Sequence, residues 1–426
     1  MLVTMMVILI VMFALGVPIA ISMGVAGFVG ILLTGNIPLE VTAQRFMTGV
    51  DSFPLLAVPF FILAGALMNA GGVTERLVRL ANALVGHLTG GLGHVVVVTN
   101  MIMAGMSGSA SADAAGTGAV LIPSMVRAGF APNFSAAVTA SASTIGPIIP
   151  PSIPFVMYGV LASVSIGRLF LGGAIPGVLM GIYLMVVVYL ISKKRGYARG
   201  QKATCGSLTK AFWEGLPALM LPVIILWGIV GGVVTPTEAA VLAVLWALFL
   251  GLFVYRELTL ASMHQVFGEA ALTTGAIMFI VAASQLLAWM LTREQAGPLL
   301  VNSVTSITTD PKLVLLAINI ILLILGCFLE TLSIMIILVP VLMPLIHNVG
   351  IDPVHFGVVL TLNLMIGLIT PPVGMAMFIA CSIAKIKVID FAKEIVPFMV
   401  ALILVLLAIT YIPDLVLFLP NLLMGN

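Results

Sequence analysis

The chain has 426 residues, of which 62% are hydrophobic and only 8% are charged, whereas a soluble domain carries about a quarter charged residues, so a water-soluble fold is excluded. The net charge of +2 comes from scattered Lys and Arg residues, which gives no basic surface for DNA or RNA. The three cysteines lack a CxxC spacing and no HExxH motif is present, so we expect neither a disulfide framework nor a familiar zinc site.

Ten apolar stretches are predicted to cross a membrane, since about 20 apolar residues span the hydrocarbon layer. Five precede and five follow a connecting segment, 193–215, which we expect in the cytoplasm. The predicted spans are 1–16, 18–35, 53–70, 134–165 and 169–192, then 216–233, 236–255, 266–291, 352–383 and 395–419.

Two further apolar regions, 92–130 and 313–346, consist of arms too short to cross. The arms are Leu92–Met106 and Ala119–Phe130 in the first region, and Leu313–Gly326 and Leu332–Ile346 in the second. One interpretation is a polar loop that joins two short helices. The interpretation we favour is a re-entrant hairpin whose tip stops at mid-membrane, where non-helical backbone must be covered by protein or line a wet cavity.

The number of crossings predicts that the two halves are inverted relative to each other. If the hairpins do not cross, each half has five crossings, so the second half enters the membrane from the opposite side. With the connecting segment in the cytoplasm, thirteen of the 17 Lys and Arg residues lie inside, which is the expected positive-inside bias. Both termini are then predicted on the outer face. The four basic residues outside are Arg45, Arg168, Arg293 and Lys312.

An internal repeat supports this division. Shifting the sequence by 221 residues places Pro123 on Pro344 and the pair Pro150–Pro151 on Pro371–Pro372, without a gap. We therefore predict two repeats, 1–192 and 216–426. Inverted repeats are common in secondary transporters, which place their substrate site at the repeat interface near the midplane.

Within each repeat, the helix after the hairpin is interrupted by a double proline. The interruptions are GPIIPPSIP at 146–154 and GLITPPVG at 367–374. Both could be tolerated kinks, but their recurrence at the same repeat position favours unwound segments, because proline removes a backbone donor and blocks the helix. Freed carbonyl groups there can bind a small cation, and the N-terminal ends of half-helices attract an anion.

Hydroxyl groups surround these tips and breaks and predict two cation sites, since hard cations take oxygen ligands. Some of them will instead bond the carbonyl four residues earlier. The tips also carry two acids, Asp113 and Glu330. Each acid has two open interpretations, a functional intramembrane carboxylate or a cap for the N-terminus of the second hairpin arm. The hydroxyl residues are Ser107, Ser109, Ser111, Ser141, Ser143, Thr144, Ser152, Thr331, Ser333 and Thr370.

Three sequence runs, at 104–125, 146–159 and 363–378, resemble the large membrane subunit (DctM-like) of TRAP transporters, and the similarity covers essentially the whole chain. The resemblance implies an all-α polytopic membrane protein with the elevator fold of the ion-transporter superfamily. It also implies sodium-driven import of an organic acid, such as sialic acid or a C4-dicarboxylate, across a bacterial inner membrane.

The family works with a soluble periplasmic binding protein and a small membrane subunit of four helices, which we expect as a separate chain here. When the hairpin tips of the family are placed on this sequence, they fall at 107–118 and 326–331. Substrate contacts are expected at Ser107, Ser111, Asp113, Ser152, Thr370 and Pro371. Sodium ligands are expected at Ser107, Gly108, Ser109, Gly146, Pro150, Gly326, Glu330, Thr331, Gly367 and Thr370.

Three other functions compete with this one. An intramembrane enzyme is disfavoured, because Asp113 and Glu330 come from separate hairpins with no neighbouring histidine, lysine or protease motif. A channel also fits an inverted repeat, and a stand-alone ion-coupled carrier of carboxylates is the remaining alternative.

Overall fold

The computed structural model describes residues 1–425, and over that range the fold is all α. Twenty α-helices and two short turns of 3-10 or π helix form it, with no β-strand among these residues. The predicted all-α fold is therefore confirmed. Asn426, the last residue of the predicted second repeat, lies outside the described residues.

The helices of the first half are α1 (Leu2–Ala14), α2 (Ile19–Thr34), α3 (Glu40–Thr48), α4 (Ala57–Ala70), α5 (Val73–Val85), α6 (Gly91–Ser107), α7 (Ala110–Arg127), α8 (Pro132–Ser143), α9 (Ile153–Ala162) and α10 (Ile166–Arg195). Those of the second half are α11 (Cys205–Val230), α12 (Pro236–Phe249), α13 (Leu260–Arg293), α14 (Ala296–Thr305), α15 (Pro311–Gly326), α16 (Thr331–Asn348), α17 (Pro353–Gly367), α18 (Met375–Ala384), α19 (Val388–Tyr411) and α20 (Asp414–Met424).

Within residues 1–425, seven helices are long and apolar enough to cross a membrane. The predicted crossings were more numerous for two reasons. The helices α1 and α2 have only 13 and 16 residues, and the predicted spans 134–165 and 352–383 are each divided into two short helices. Two predicted hairpin arms, α7 and α16, are longer than expected, with 18 residues each. The helix α7 begins at Ala110, so most of the predicted tip 107–118 is helical, and α16 reaches spanning length.

Three predicted boundaries differ from the structure. Most of the connecting segment 193–215 is helical, because α10 continues to Arg195 and α11 already begins at Cys205. The Thr204 hydroxyl caps α11 by accepting a 3.3 Å hydrogen bond from the Ser207 amide. The predicted span 395–419 contains the break between α19 and α20.

Three short helices, α3, α5 and α14, were not predicted as elements at all. The amphipathic helices α3 and α5 carry charged residues, so a search for long apolar runs misses them. Helical periodicity would have found α5, because Val73, Leu77 and Leu80 form one buried face.

The internal repeat is visible in the helix boundaries. At the offset of 221 residues, α7 and α16 coincide at both ends, and α8 and α17 begin at equivalent prolines. The bonds Pro150–Pro151 and Pro371–Pro372 are both cis. The order of helices α6 to α10 is thus repeated by α15 to α19.

The hairpins pack crosswise on the broken helices. The arm α7 packs against α8 of its own repeat and α18 of the other, and α16 packs against α17 and α9 in the same way. A smaller apolar core joins α1, α2 and α13 through residues such as Met5, Met23 and Leu286. The two repeats are therefore interlocked around the hairpins, while α1, α2 and α13 form a distinct packing unit.

Candidate functional site

A cavity of about 1210 Å³ lies where the two hairpins meet helices α2, α4 and α13. One wall is made by both hairpin tips together with residues at the ends of the broken helices. The other wall is made by the α1–α2 turn and by α4 and α13. From the hairpin tips, the cavity is lined by Ser107–Ala112 and Phe328–Ser333.

The first tip turns at Gly108, between α6 and α7. Its φ of +59° lies in the left-handed region, which glycine adopts without strain. Ser109 then caps α7, because its hydroxyl accepts a 3.4 Å hydrogen bond from the Ala112 amide. The hydroxyls of Ser109 and Ser111 are 3.1 Å apart, and with Ser107 they line the cavity.

The first tip is tied to the first break by the backbone. The Ile153 amide donates a 3.4 Å hydrogen bond to the Gly108 carbonyl. A methyl group on Gly108 would lie 2.8 Å from the Pro151 carbonyl oxygen, so only glycine permits this approach. Ser152 caps α9 by accepting a 3.1 Å bond from the Phe155 amide. Tip and break form one packed unit.

The second repeat makes the equivalent connection. The Val373 amide, in the second break, donates a 3.2 Å hydrogen bond to the Cys327 carbonyl in the second tip. Gly326 and Gly367 touch through their backbones, since a methyl group on Gly367 would lie 2.6 Å from the Gly326 carbonyl oxygen. A backbone hydrogen bond therefore joins tip and break in both repeats, through residues that are one or two positions apart at the repeat offset.

Glu330 lines the cavity and caps the second hairpin arm. Its Oε2 accepts hydrogen bonds from the amide (3.2 Å) and the hydroxyl (3.3 Å) of Ser333. The capping interpretation is therefore what the geometry supports for this acid. The neighbouring residue Thr331 also lines the cavity, and its hydroxyl oxygen is buried without a hydrogen-bond partner among the described residues.

Asp113 has a different environment. It lies in the first turn of α7, is fully buried, and does not line the cavity. Neither carboxylate oxygen has a hydrogen-bond partner within the described chain, and Gly146 of the first break lies against the carboxylate, where a methyl group would collide with Oδ2. Its side chain therefore lies behind the tip, next to the break.

Most of the other predicted residues are buried around the cavity, whereas Thr370 and Pro371 are half-buried. Several predicted hydroxyls donate to the carbonyl four residues earlier, as Thr370 does to Ile366 at 2.7 Å and Ser141 does to Ala137 at 2.8 Å. A hydroxyl bonded in this way still presents an oxygen lone pair to a cation. The predicted residues that do not line the cavity are Asp113, Ser141, Ser143, Thr144, Gly146, Pro150, Ser152, Gly326, Gly367, Thr370 and Pro371.

The opposite wall was missed by the sequence interpretation. It includes Asn69 on α4 and Gln265, Glu269 and Thr273 on α13. Gln265 donates a 2.8 Å hydrogen bond to the Glu269 carboxylate. Their spacing of four residues places these polar side chains on one face of an otherwise apolar helix, and that spacing could have identified them.

The electrostatics of the cavity are unusual for an anion site. Among the described residues that line it, none is Lys, Arg or His, and the charged ones are Glu269 and Glu330. The groups of opposite polarity at this cavity are the N-terminal ends of α7, α9, α16 and α18, which lie at the tips and breaks and carry the positive ends of the helix dipoles.

The sequence as a whole matches the family described as “Tripartite ATP-independent periplasmic transporter, DctM component” over residues 6–415. The chain belongs to this family. It is 44% identical over 410 residues to the sialic acid TRAP transporter large permease protein SiaM of Vibrio cholerae, covering 96% of each. It is 39% identical over 404 residues to the C4-dicarboxylate TRAP transporter large permease protein DctM of Pseudomonas aeruginosa, covering 94% of each.

A third relative is longer than this chain. The isethionate TRAP transporter permease protein DctMQ of Oleidesulfovibrio alaskensis is 43% identical over 404 residues, and the match spans 95% of this chain and 64% of the relative. The resemblance drawn from the three sequence runs is thus confirmed at the level of the DctM family.

The fold also has a likeness among solved structures. The crystal structure of the Alcanivorax borkumensis YdaH transporter, described as having an unusual topology, superimposes with a TM-score of 0.66 at 14% identity. The match covers 87% of this chain and 88% of the other. At that identity the likeness concerns the fold alone.

Proposed function

We propose that this DctM-family chain is the large membrane subunit of a sodium-coupled, binding-protein-dependent importer of an organic acid. One observation carries the proposal: both hairpin tips and both broken helices converge on a single cavity. Transporters with inverted repeats place substrate and ion sites at broken helices, where carbonyl groups bind the ion and helix N-termini face an anion.

Sodium, as the co-transported ion, fits the oxygen atoms at the two tips. At the first tip the candidate sodium ligands are the hydroxyls of Ser107 and Ser109 and the carbonyl of Gly108, together with Gly146 and Pro150 of the first break. At the second tip they are Glu330, Thr331 and Thr370, with the carbonyls of Gly326 and Gly367. Neutral hydroxyl and carbonyl oxygens suit a hard monovalent cation better than a proton relay, which needs a chain of titratable groups.

The cavity lies in the cytoplasmic half of the membrane if the orientation from the charge distribution is adopted. The wall opposite the hairpins contains Gly16–Pro18 between α1 and α2, Asn69 near the end of α4 and Gln265 near the start of α13. All three lie at helix ends assigned to the cytoplasm. On this view the structure represents an inward-facing state, with both termini in the periplasm and the chain in the inner membrane.

Uptake should require the whole assembly, and this requirement tests the proposal. We expect saturable uptake in proteoliposomes that hold the chain with its small four-helix subunit, when the periplasmic binding protein and its ligand are supplied outside. The chain alone should be inactive, because substrate delivery and part of the scaffold are assigned to partners.

The controls discriminate between the alternatives. Vesicles without the small subunit, or without the binding protein, should show background uptake only. Saturable sodium-dependent uptake by the chain alone would instead support a stand-alone carrier. Flux that rises linearly with the substrate concentration and does not depend on a cation gradient would support a channel.

The elevator mechanism predicts a moving block formed by both hairpins and both broken helices. In the present state Asn69 on α4 touches Gly116 on α7, since a methyl group on Gly116 would lie 2.8 Å from Asn69 Oδ1. Cysteines at these two positions should cross-link in the inward-facing state and separate in the outward-facing state.

Two control pairs should keep their distances through the cycle. Gly24 and Ala283 join α2 to α13 within the static part, and Gly118 and Ile383 join α7 to α18 within the moving block. If the Gly118–Ile383 distance changes while the Asn69–Gly116 distance stays fixed, the block is wrongly assigned, and a rocking mechanism replaces the elevator.

A further inference from the structure

The two hairpin tips differ at one equivalent position. Ser109 and Glu330 are separated by the repeat offset of 221 residues, and each is the N-cap of the second arm of its hairpin. Ser109 accepts from the amide three residues later at 3.4 Å, and Glu330 does so at 3.2 Å. One of the two equivalent caps is therefore neutral and the other carries a carboxylate.

We propose that the Glu330 carboxylate supplies at the second tip the negative charge that the substrate supplies at the first tip, so that the substrate is an organic acid with a single anionic group. This inference rests on the proposed transport function and names its substrate class. The substrate's anionic group then binds at the first tip, near Ser109 and Ser111, whose side chains line the cavity and present neutral donors.

The composition of the cavity supports this assignment. None of its described lining residues is basic, and Glu269 and Glu330 already contribute two negative groups. Glu330 neutralises the sodium ion proposed at the second tip, so no net positive charge and no basic lining residue remain there for a second substrate carboxylate. Thr331 also lines this tip, but its hydroxyl oxygen is buried and supplies no positive charge either.

The inference predicts that dicarboxylates are rejected. An unpaired charged group in a buried site weakens binding by roughly 100-fold. The purified chain in complex with its small subunit can be probed by thermal unfolding, in sodium and in potassium buffers. The probes are two singly charged acids, sialic acid and isethionate, and two C4-dicarboxylates, succinate and malate.

We expect at least one singly charged acid to raise the unfolding temperature in sodium but not in potassium, and neither dicarboxylate to do so at the same concentration. Sodium-dependent stabilisation by a dicarboxylate equal to or greater than that by the singly charged acids would overturn the inference and leave the proposed function intact. Stabilisation by none of the four acids in sodium would count against both.

Two substitutions test the role of Glu330 directly. Glu330→Gln keeps an oxygen that can cap α16 but removes the charge, so it should fold and should raise dicarboxylate affinity by about tenfold or more. Ser109→Glu places a carboxylate at the first tip, where the anionic group of the substrate is proposed to bind, and should remove binding of the singly charged acid. The double variant Ser109→Glu/Glu330→Ser transposes the two caps and should restore it. Unchanged selectivity in Glu330→Gln and in Ser109→Glu would overturn the proposal.

Discussion

Uptake by the complete, reconstituted assembly should fall to background when potassium replaces sodium at fixed voltage and pH. The reason lies in the two tips, where serine and threonine hydroxyls and backbone carbonyls face a cavity with no basic lining residue among those described. An organic anion entering this cavity finds no cationic side chain, so a bound cation must offset its charge. Radiolabelled substrate uptake, with an imposed gradient of one cation at a time, measures the effect.

The control for this experiment separates coupling from driving force. A valinomycin-clamped potential with sodium equal on both sides should allow exchange of substrate but no net accumulation beyond that set by the potential. A proton gradient alone should not drive uptake, because the tips do not form a chain of titratable groups. Persistent accumulation in sodium-free potassium buffer would contradict sodium coupling.

Substitution of Gly367 by alanine should remove most sodium-dependent uptake. The added methyl group would lie 2.6 Å from the carbonyl oxygen and 2.7 Å from the Cα of Gly326, and a backbone cannot move aside as a flexible side chain can. The second tip must then shift away from its break. Overpacking of this kind costs about 1–3 kcal/mol, so we expect the sodium affinity to fall roughly tenfold or more.

A matched glycine gives the control. Gly275 also lies inside a helix, α13, but an added methyl group there meets no atom within 4 Å. Gly275→Ala should keep full uptake and slightly favour the helix, since alanine is the better helix former by about 1 kcal/mol. The sodium concentration for half-maximal uptake should therefore rise in Gly367→Ala and stay constant in Gly275→Ala. Equal behaviour of the two variants would show that the Gly326–Gly367 contact does not shape the ion site.

Much of the site could be located from the sequence because its chemistry is local. A double proline prevents a continuous helix wherever it occurs, so the breaks at 146–154 and 367–374 are fixed by their own residues. The small and polar tip at 107–118 is likewise unable to form a lipid-facing span. Asp113 and Glu330 had two interpretations, since a carboxylate at a hairpin tip can cap a helix or bind a ligand, and the cap role of Ser109 was not predicted.

The sequence by itself determined the membrane location, the repeat and the positions of the breaks, because hydrophobicity and proline act within a few residues of chain. It made the first tip too long, since α7 already begins at Ala110. Tertiary structure alone decided which side chains share the cavity. It buried Asp113 behind the first tip, placed Glu330 on the cavity wall, and brought Gln265 and Glu269 opposite the hairpins. The crosswise packing of α7 on α18 and α16 on α9 also depends on contacts between residues far apart in the chain, and no local pattern specifies such contacts.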